Sequence, residues 1–70
     1  MPILMAPLNR EVKIVRISAD DKVRKHLEDM GVTLGSVISV LSNAGGNIVI
    51  KVKDGRVALD KNVCSKIFIA

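Results

Sequence analysis

A small barrel of short β-strands, with one helix after the first strand and a helical turn before the last, is the fold this sequence predicts. Three observations point to it. The 70 residues allow one domain, spanning residues 1–70, and leave no room for a large cleft between domains. The chain is 49% hydrophobic yet has one aromatic residue, Phe68, so its core must be aliphatic. A single stretch has helical spacing, while nearly everything else is β-branched, alternating and bounded by turn residues.

The apolar opening, Met1–Leu8, contains Pro2 and Pro7 and reads as an extended arm packed on the domain. It lacks the basic flank of a signal peptide, and no stretch reaches the ~18 apolar residues of a membrane span, so the chain is assigned to the cytoplasm. Val12, Ile14, Val15 and Ile17 make Glu11–Ile17 a strand. Ser18 then stands where a helix N-cap belongs, with Asp21 three residues on. Val23, Leu27 and Met30 form one narrow apolar stripe, and Asp20–Arg24 and Asp21–Lys25 are acid-before-base pairs on the opposite side. Gly31 ends the helix, with Val32 folding back on its last turn.

Beyond Gly31 every signal is β. Gly35 marks a turn, Val37–Leu41 a strand and Ser42–Asn47 a loop. Ile48, Ile50 and Val52 point inward and Val49, Lys51 and Lys53 outward. Asp54–Gly55 is a two-residue hairpin signal, after which Val57 and Leu59 face the core. Asp60 caps a helical turn within Lys61–Lys66, and Ile67–Ile69 is the closing strand.

Chemistry-bearing groups are few. A structural zinc site takes four nitrogen or sulfur ligands, and His26 and Cys64 are the only such side chains, so they are weak metal candidates and no cofactor is expected; ligand count gives Fe²⁺ no support. His26 lies on the flank of the apolar stripe, and Cys64 reads as small core packing. Gly45–Gly46 lacks the Lys–Ser/Thr and helix of a phosphate loop, and one cysteine excludes an internal disulfide. The net charge is +4, with six basic against five acidic side chains in residues 1–35 and five against two in 36–70. No basic run exceeds Arg24–Lys25, and no aromatics interleave for base stacking, so a solvated basic face is preferred over a nucleic-acid footprint. Period two turns Phe68 outward, either as an exposed contact or beneath the N-terminal arm. Phe68, Val49, Lys51 and Lys53 are therefore the candidate partner-binding residues.

The run Leu27-Glu-Asp-Met30-Gly31-Val32-Thr-Leu34-Gly35-Ser-Val37-Ile38-Ser-Val40 resembles the signature of the FeoA family of ferrous iron transport. Gly55-Arg56-Val57-Ala58-Leu59, Ile67-Phe68-Ile69 and Ile14-Val15-Arg16-Ile17 extend the resemblance over about residues 8–70. The sequence departs from the family pattern at His26, where Arg is frequent, at Leu34, where Pro is, at Asp60, where Arg is, and at Cys64, where Ala is usual; a glycine is also missing near Asn9–Arg10. The resemblance implies an SH3-like barrel in its free-standing form and a non-enzymatic cytoplasmic accessory of the membrane transporter FeoB, without membrane insertion and compatible with a homo-oligomer. The same module closes some metal-dependent repressors, which makes a metal-regulatory domain the second reading and a basic nucleic-acid-binding barrel the third.

Overall fold

Alternation of apolar and polar side chains decides which way each strand faces, and its two interruptions shape the molecule. The computed structural model describes residues 1–70. A 3-10 turn, Ile3–Met5, precedes β1 (Glu11–Ile17), α1 (Asp21–Asp29), β2 (Val37–Ala44), β3 (Asn47–Val52), β4 (Gly55–Leu59), α2 (Lys61–Cys64) and β5 (Ile67–Ile69). The strands form one antiparallel sheet in the order β4-β3-β2-β1-β5. No ladder joins β4 to β5; the single turn α2 connects these two edges, so the expected barrel has an open seam.

β1 changes partners along its length. Glu11–Lys13 pair with β2, whereas Ile14, Arg16 and Ile17 pair with β5 across a bulge at Val15. The extra residue resets the alternation: Val12, Ile14 and Ile17 are buried, and Val15 and Arg16 both face out. A second irregularity lies between Val40 and Ser42 of β2.

Fifteen residues form the core, fourteen aliphatic and Cys64, with no polar or charged side chain among them. Ile48↔Leu59 and Ile50↔Val57 bring the inward residues of β3 and β4 opposite each other, as their alternation requires. That register ends at Val52↔Gly55, so the turn is Lys53–Asp54, one residue earlier than the Asp54–Gly55 signal placed it.

Other local expectations are also corrected. The cap of α1 is Asp20, whose Oδ1 accepts from the Val23 N–H at 2.9 Å. Ser18 instead donates its N–H to the Lys66 carbonyl at 2.7 Å, prolonging the contact between β1 and the β5 side. With Asp20 occupied by the cap, Arg24 turns away from it and donates from Nη2 to the carbonyls of Ile17 (2.8 Å) and Ala19 (3.4 Å). β2 continues through Ala44 because Gly45–Gly46, at φ +62° and +96°, turns the chain in two residues; Asn43 Oδ1 pins the turn by accepting the Gly46 N–H. Asp60 caps a shorter helical turn than expected, Lys61–Cys64. The arm is not wholly extended, since Ile3 turns into the core at 0% exposure. The end of α1 follows expectation: Gly31 N–H donates to Glu28 O and Val32 N–H to Leu27 O, with Val32 buried.

Candidate docking surface

The loop between α1 and β2 builds one wall of a surface groove. Thr33-Leu34-Gly35-Ser36 is a tight turn closed by Ser36 N–H donating to Thr33 O at 3.1 Å, and Gly35 at φ +84° occupies the position that needs a positive φ. The Thr33 and Ser36 hydroxyls share a hydrogen bond of 2.7 Å, and Ser36 Oγ also accepts the Thr33 N–H. The turn is fixed to β1 at Ile14, whose N–H donates to Ser36 O (2.9 Å) and whose carbonyl accepts from Gly35 N–H (2.8 Å). Leu34 stands on the corner of this braced turn and is 57% exposed.

Val15, outward in the alternation that buries Val12 and Ile14, is 49% exposed and lines the same groove of about 470 Å³ with Leu34, Ser18, Arg24 and Arg16, which the bulge keeps outside. Arg16 is held at the rim, its Cζ 5.4 Å from the Phe68 ring centroid, a cation–π distance. Arg24 is held by its two carbonyl acceptors, while its buried Nε has no hydrogen-bond partner. A second depression of about 220 Å³ lies beyond Arg24 and Leu34 and adds Glu28 and Thr33. The groove therefore combines the carbonyl-anchored Arg24 and the ring-stacked Arg16 with two exposed aliphatic side chains on hydrogen-bonded backbone.

The residues selected from sequence are not brought together. Phe68 is half-buried, bridged to Pro2 of the arm, and separated from β3 by β1 and β2. Its ring lies against Arg16, its partner across the ladder, while the arm runs beside its backbone at Pro2. Val49 is half-buried between Ser42 and Ala58. Lys51 is exposed in a cross-strand row Glu11–Ser39–Lys51–Arg56, and Lys53 is exposed in the turn after β3. Val37, 55% exposed, lines a shallow depression with Lys51 and Lys53.

His26 is exposed on α1, whereas Cys64 is fully buried with Sγ donating to Leu59 O at 3.6 Å. Burial pushes the Cys64 thiol above its ordinary range; the nearby Asp60 carboxylate adds to the rise, and a backbone hydrogen bond at Ile48 opposes it. No cavity is lined by both His26 and Cys64, and no three His, Cys, Asp or Glu side chains are grouped to hold a metal ion. No helix is long and apolar enough to cross a membrane.

The sequence reading missed Val15, Arg24, Leu34 and Val37. A local signal existed for Leu34, because a Thr-Leu-Gly-Ser turn with glycine third places its second residue on a corner. Proline is favoured at that corner, which accounts physically for the proline of the resembling pattern.

Comparison with known proteins agrees with this architecture. The chain is 28% identical over 68 residues, 97% of its own length and 83% of the other's, to a protein of Methanocaldococcus jannaschii named Fe(2+) transport protein A. The crystal structure of an iron uptake regulatory protein, FeoA, superposes with a TM-score of 0.88 at 27% identity, covering 99% of this chain and 93% of that one. A manganese-dependent transcriptional repressor shares the SH3-like fold at a TM-score of 0.88 and 20% identity, with all of this chain matching 40% of the repressor. The model of the FeoA domain matches residues 1–70, and the chain belongs to this family of ferrous iron transport proteins.

Proposed function

We propose that this protein is a non-enzymatic docking module that acts in the cytoplasm on the cytoplasmic part of the ferrous iron transporter FeoB. The observation that carries the reading is the groove, where Val15 and Leu34 are exposed beside Arg16 and Arg24 in a member of a ferrous iron transport family. Apolar groups presented on a hydrogen-bonded turn and strand suit association, because the backbone that carries them has little freedom left to lose on binding. Lys51 and Lys53 add a basic face that speeds encounter with an acidic partner. Phe68 contributes by holding Arg16 rather than as a free anchor.

The test is a pull-down of purified protein with the cytoplasmic region of the FeoB from the same organism. Saturable retention is expected. No retention, together with stoichiometric submicromolar binding of Fe²⁺ or Zn²⁺ lost in a His26→Ala/Cys64→Ala double variant, would replace this reading. The shared repressor fold favours that second reading, a free-standing metal-regulatory domain.

A further inference from the structure

We infer that the groove between β1 and the Thr33–Ser36 turn receives an extended partner segment in which one carboxylate side chain is flanked by aliphatic residues. The inference rests on the docking reading and names what the partner must present. Three features select this chemistry. First, the lining of the larger depression includes Arg16 and Arg24 and no acid. Arg24 already spends Nη2 on Ile17 O and Ala19 O, which fixes the guanidinium plane, and the buried Nε–H lacks an acceptor. Nη1 also has no protein acceptor and, unlike Nε, is not buried, so an incoming carboxylate oxygen is its natural complement.

Second, the aliphatic side chains stand on elements that cannot retreat. Val15 is the bulge residue of β1, and the turn bearing Leu34 is bonded to Ile14 on both its N–H and its carbonyl. Aliphatic side chains on either side of the partner's acid would cover Val15 and Leu34 while the acid reaches Arg24. Third, Glu28 lines the adjoining depression on the far side of Arg24. A second acid placed there would meet like charge, so the segment carries one carboxylate at this point rather than an acidic run.

The occupant can be probed without knowing the partner's sequence. Acetyl-Leu-Glu-Leu-amide, its glutamine counterpart acetyl-Leu-Gln-Leu-amide and inorganic phosphate are titrated separately into ¹⁵N-labelled protein, following the Arg24 Nε–H and the Val15, Leu34 and Gly35 amides. The glutamate peptide should move all four. The glutamine peptide should bind about tenfold more weakly, the worth of one charge-assisted hydrogen bond. Leu34→Pro, which suits the turn, should weaken the glutamate peptide by a similar factor with the fold intact, and Val15→Thr should act in the same direction.

The inference is overturned if the two peptides bind alike, if phosphate reproduces the shifts at equal concentration, or if no peptide moves these signals. Equal affinity of the FeoB region for wild type and Leu34→Pro would also overturn it while leaving the docking reading standing. Peptide binding without FeoB retention would do the reverse.

Discussion

The space beneath α2 and the groove beside β1 use similar side chains to opposite ends. Beneath α2, Cys64, Leu59 and Ile48 are buried, and the thiol has an acceptor in Leu59 O. Beside β1, Val15 and Leu34 face solvent and Arg24 Nε is left without a partner. The first region obeys the ordinary economy of a small core, where apolar surface is removed from water and polar atoms are satisfied. The second leaves both rules unmet, and it does so on backbone braced by several hydrogen bonds rather than on a loose loop. Incomplete satisfaction on a hydrogen-bonded frame is what the proposed docking of a partner would complete.

Substitutions should separate the two regions, beginning where the effect is largest. Cys64→Asp buries a carboxylate among aliphatic residues with no cation at hand and should cost more than about 4 kcal/mol, enough to unfold most of a chain this size. A cooperative melt near the wild-type temperature would show that the space beneath α2 admits water. Phe68→Ala removes a half-buried ring and the support of Arg16, so a loss of about 1–2 kcal/mol in stability is expected. Partner binding should weaken as well, and a binding loss with an unchanged melting temperature would place Phe68 on the docking surface itself.

Cys64→Ala should cost about 1 kcal/mol or less, since the smaller side chain keeps the site apolar. The same variant tests the thiol's ionisation. A raised folded-state pKa means that, as pH climbs through the ordinary thiol range near about 8.5, the unfolded chain loses the proton before the folded one does. Wild-type stability should therefore fall above that pH relative to Cys64→Ala, whereas parallel curves would contradict a buried neutral thiol. The smallest stability effect belongs to Lys51→Glu with Lys53→Glu. Both residues are exposed, so melting should move by no more than about 0.5 kcal/mol, while association with an acidic partner slows, chiefly at low salt.

The regions also differ in how far the chain announces them. Inward positions of β3 and β4, the Asp60 cap and the Gly31–Val32 helix end are legible because each depends on residues a few positions apart. Cys64 in the core was legible for the same reason, being a small apolar residue three before Ile67. The groove was not. Arg16 joins Val15 on the outer face only because β1 bulges against β5, more than fifty residues away in sequence. Arg24 leaves its expected acid partner because Ser18 remains bound to Lys66, which moves the cap to Asp20. Such outcomes are decided by pairings between distant segments, which periodicity and capping rules do not contain. Phe68 lay between these cases: its outward direction followed from alternation, but its neighbours, Pro2 and Arg16, did not.

Because β1 is shared between β2 and β5, its hydrogen bonds form on two different schedules. Lys13 reaches Ala70 through reciprocal backbone bonds, and Met1 reaches Ile69, so the arm and β1 wait for β5. Contacts of such long sequence separation slow folding, since the intervening chain must be ordered before they form. During synthesis the β2–β3–β4 meander can assemble while β1 still lacks half its ladder, leaving the Val15–Ile17 segment without β5 until residues 67–69 leave the ribosome. Folding of this domain is then completed only when β5 is in place, and loss of residues 67–70 would strand an unpaired half of β1 rather than trim one edge of the barrel.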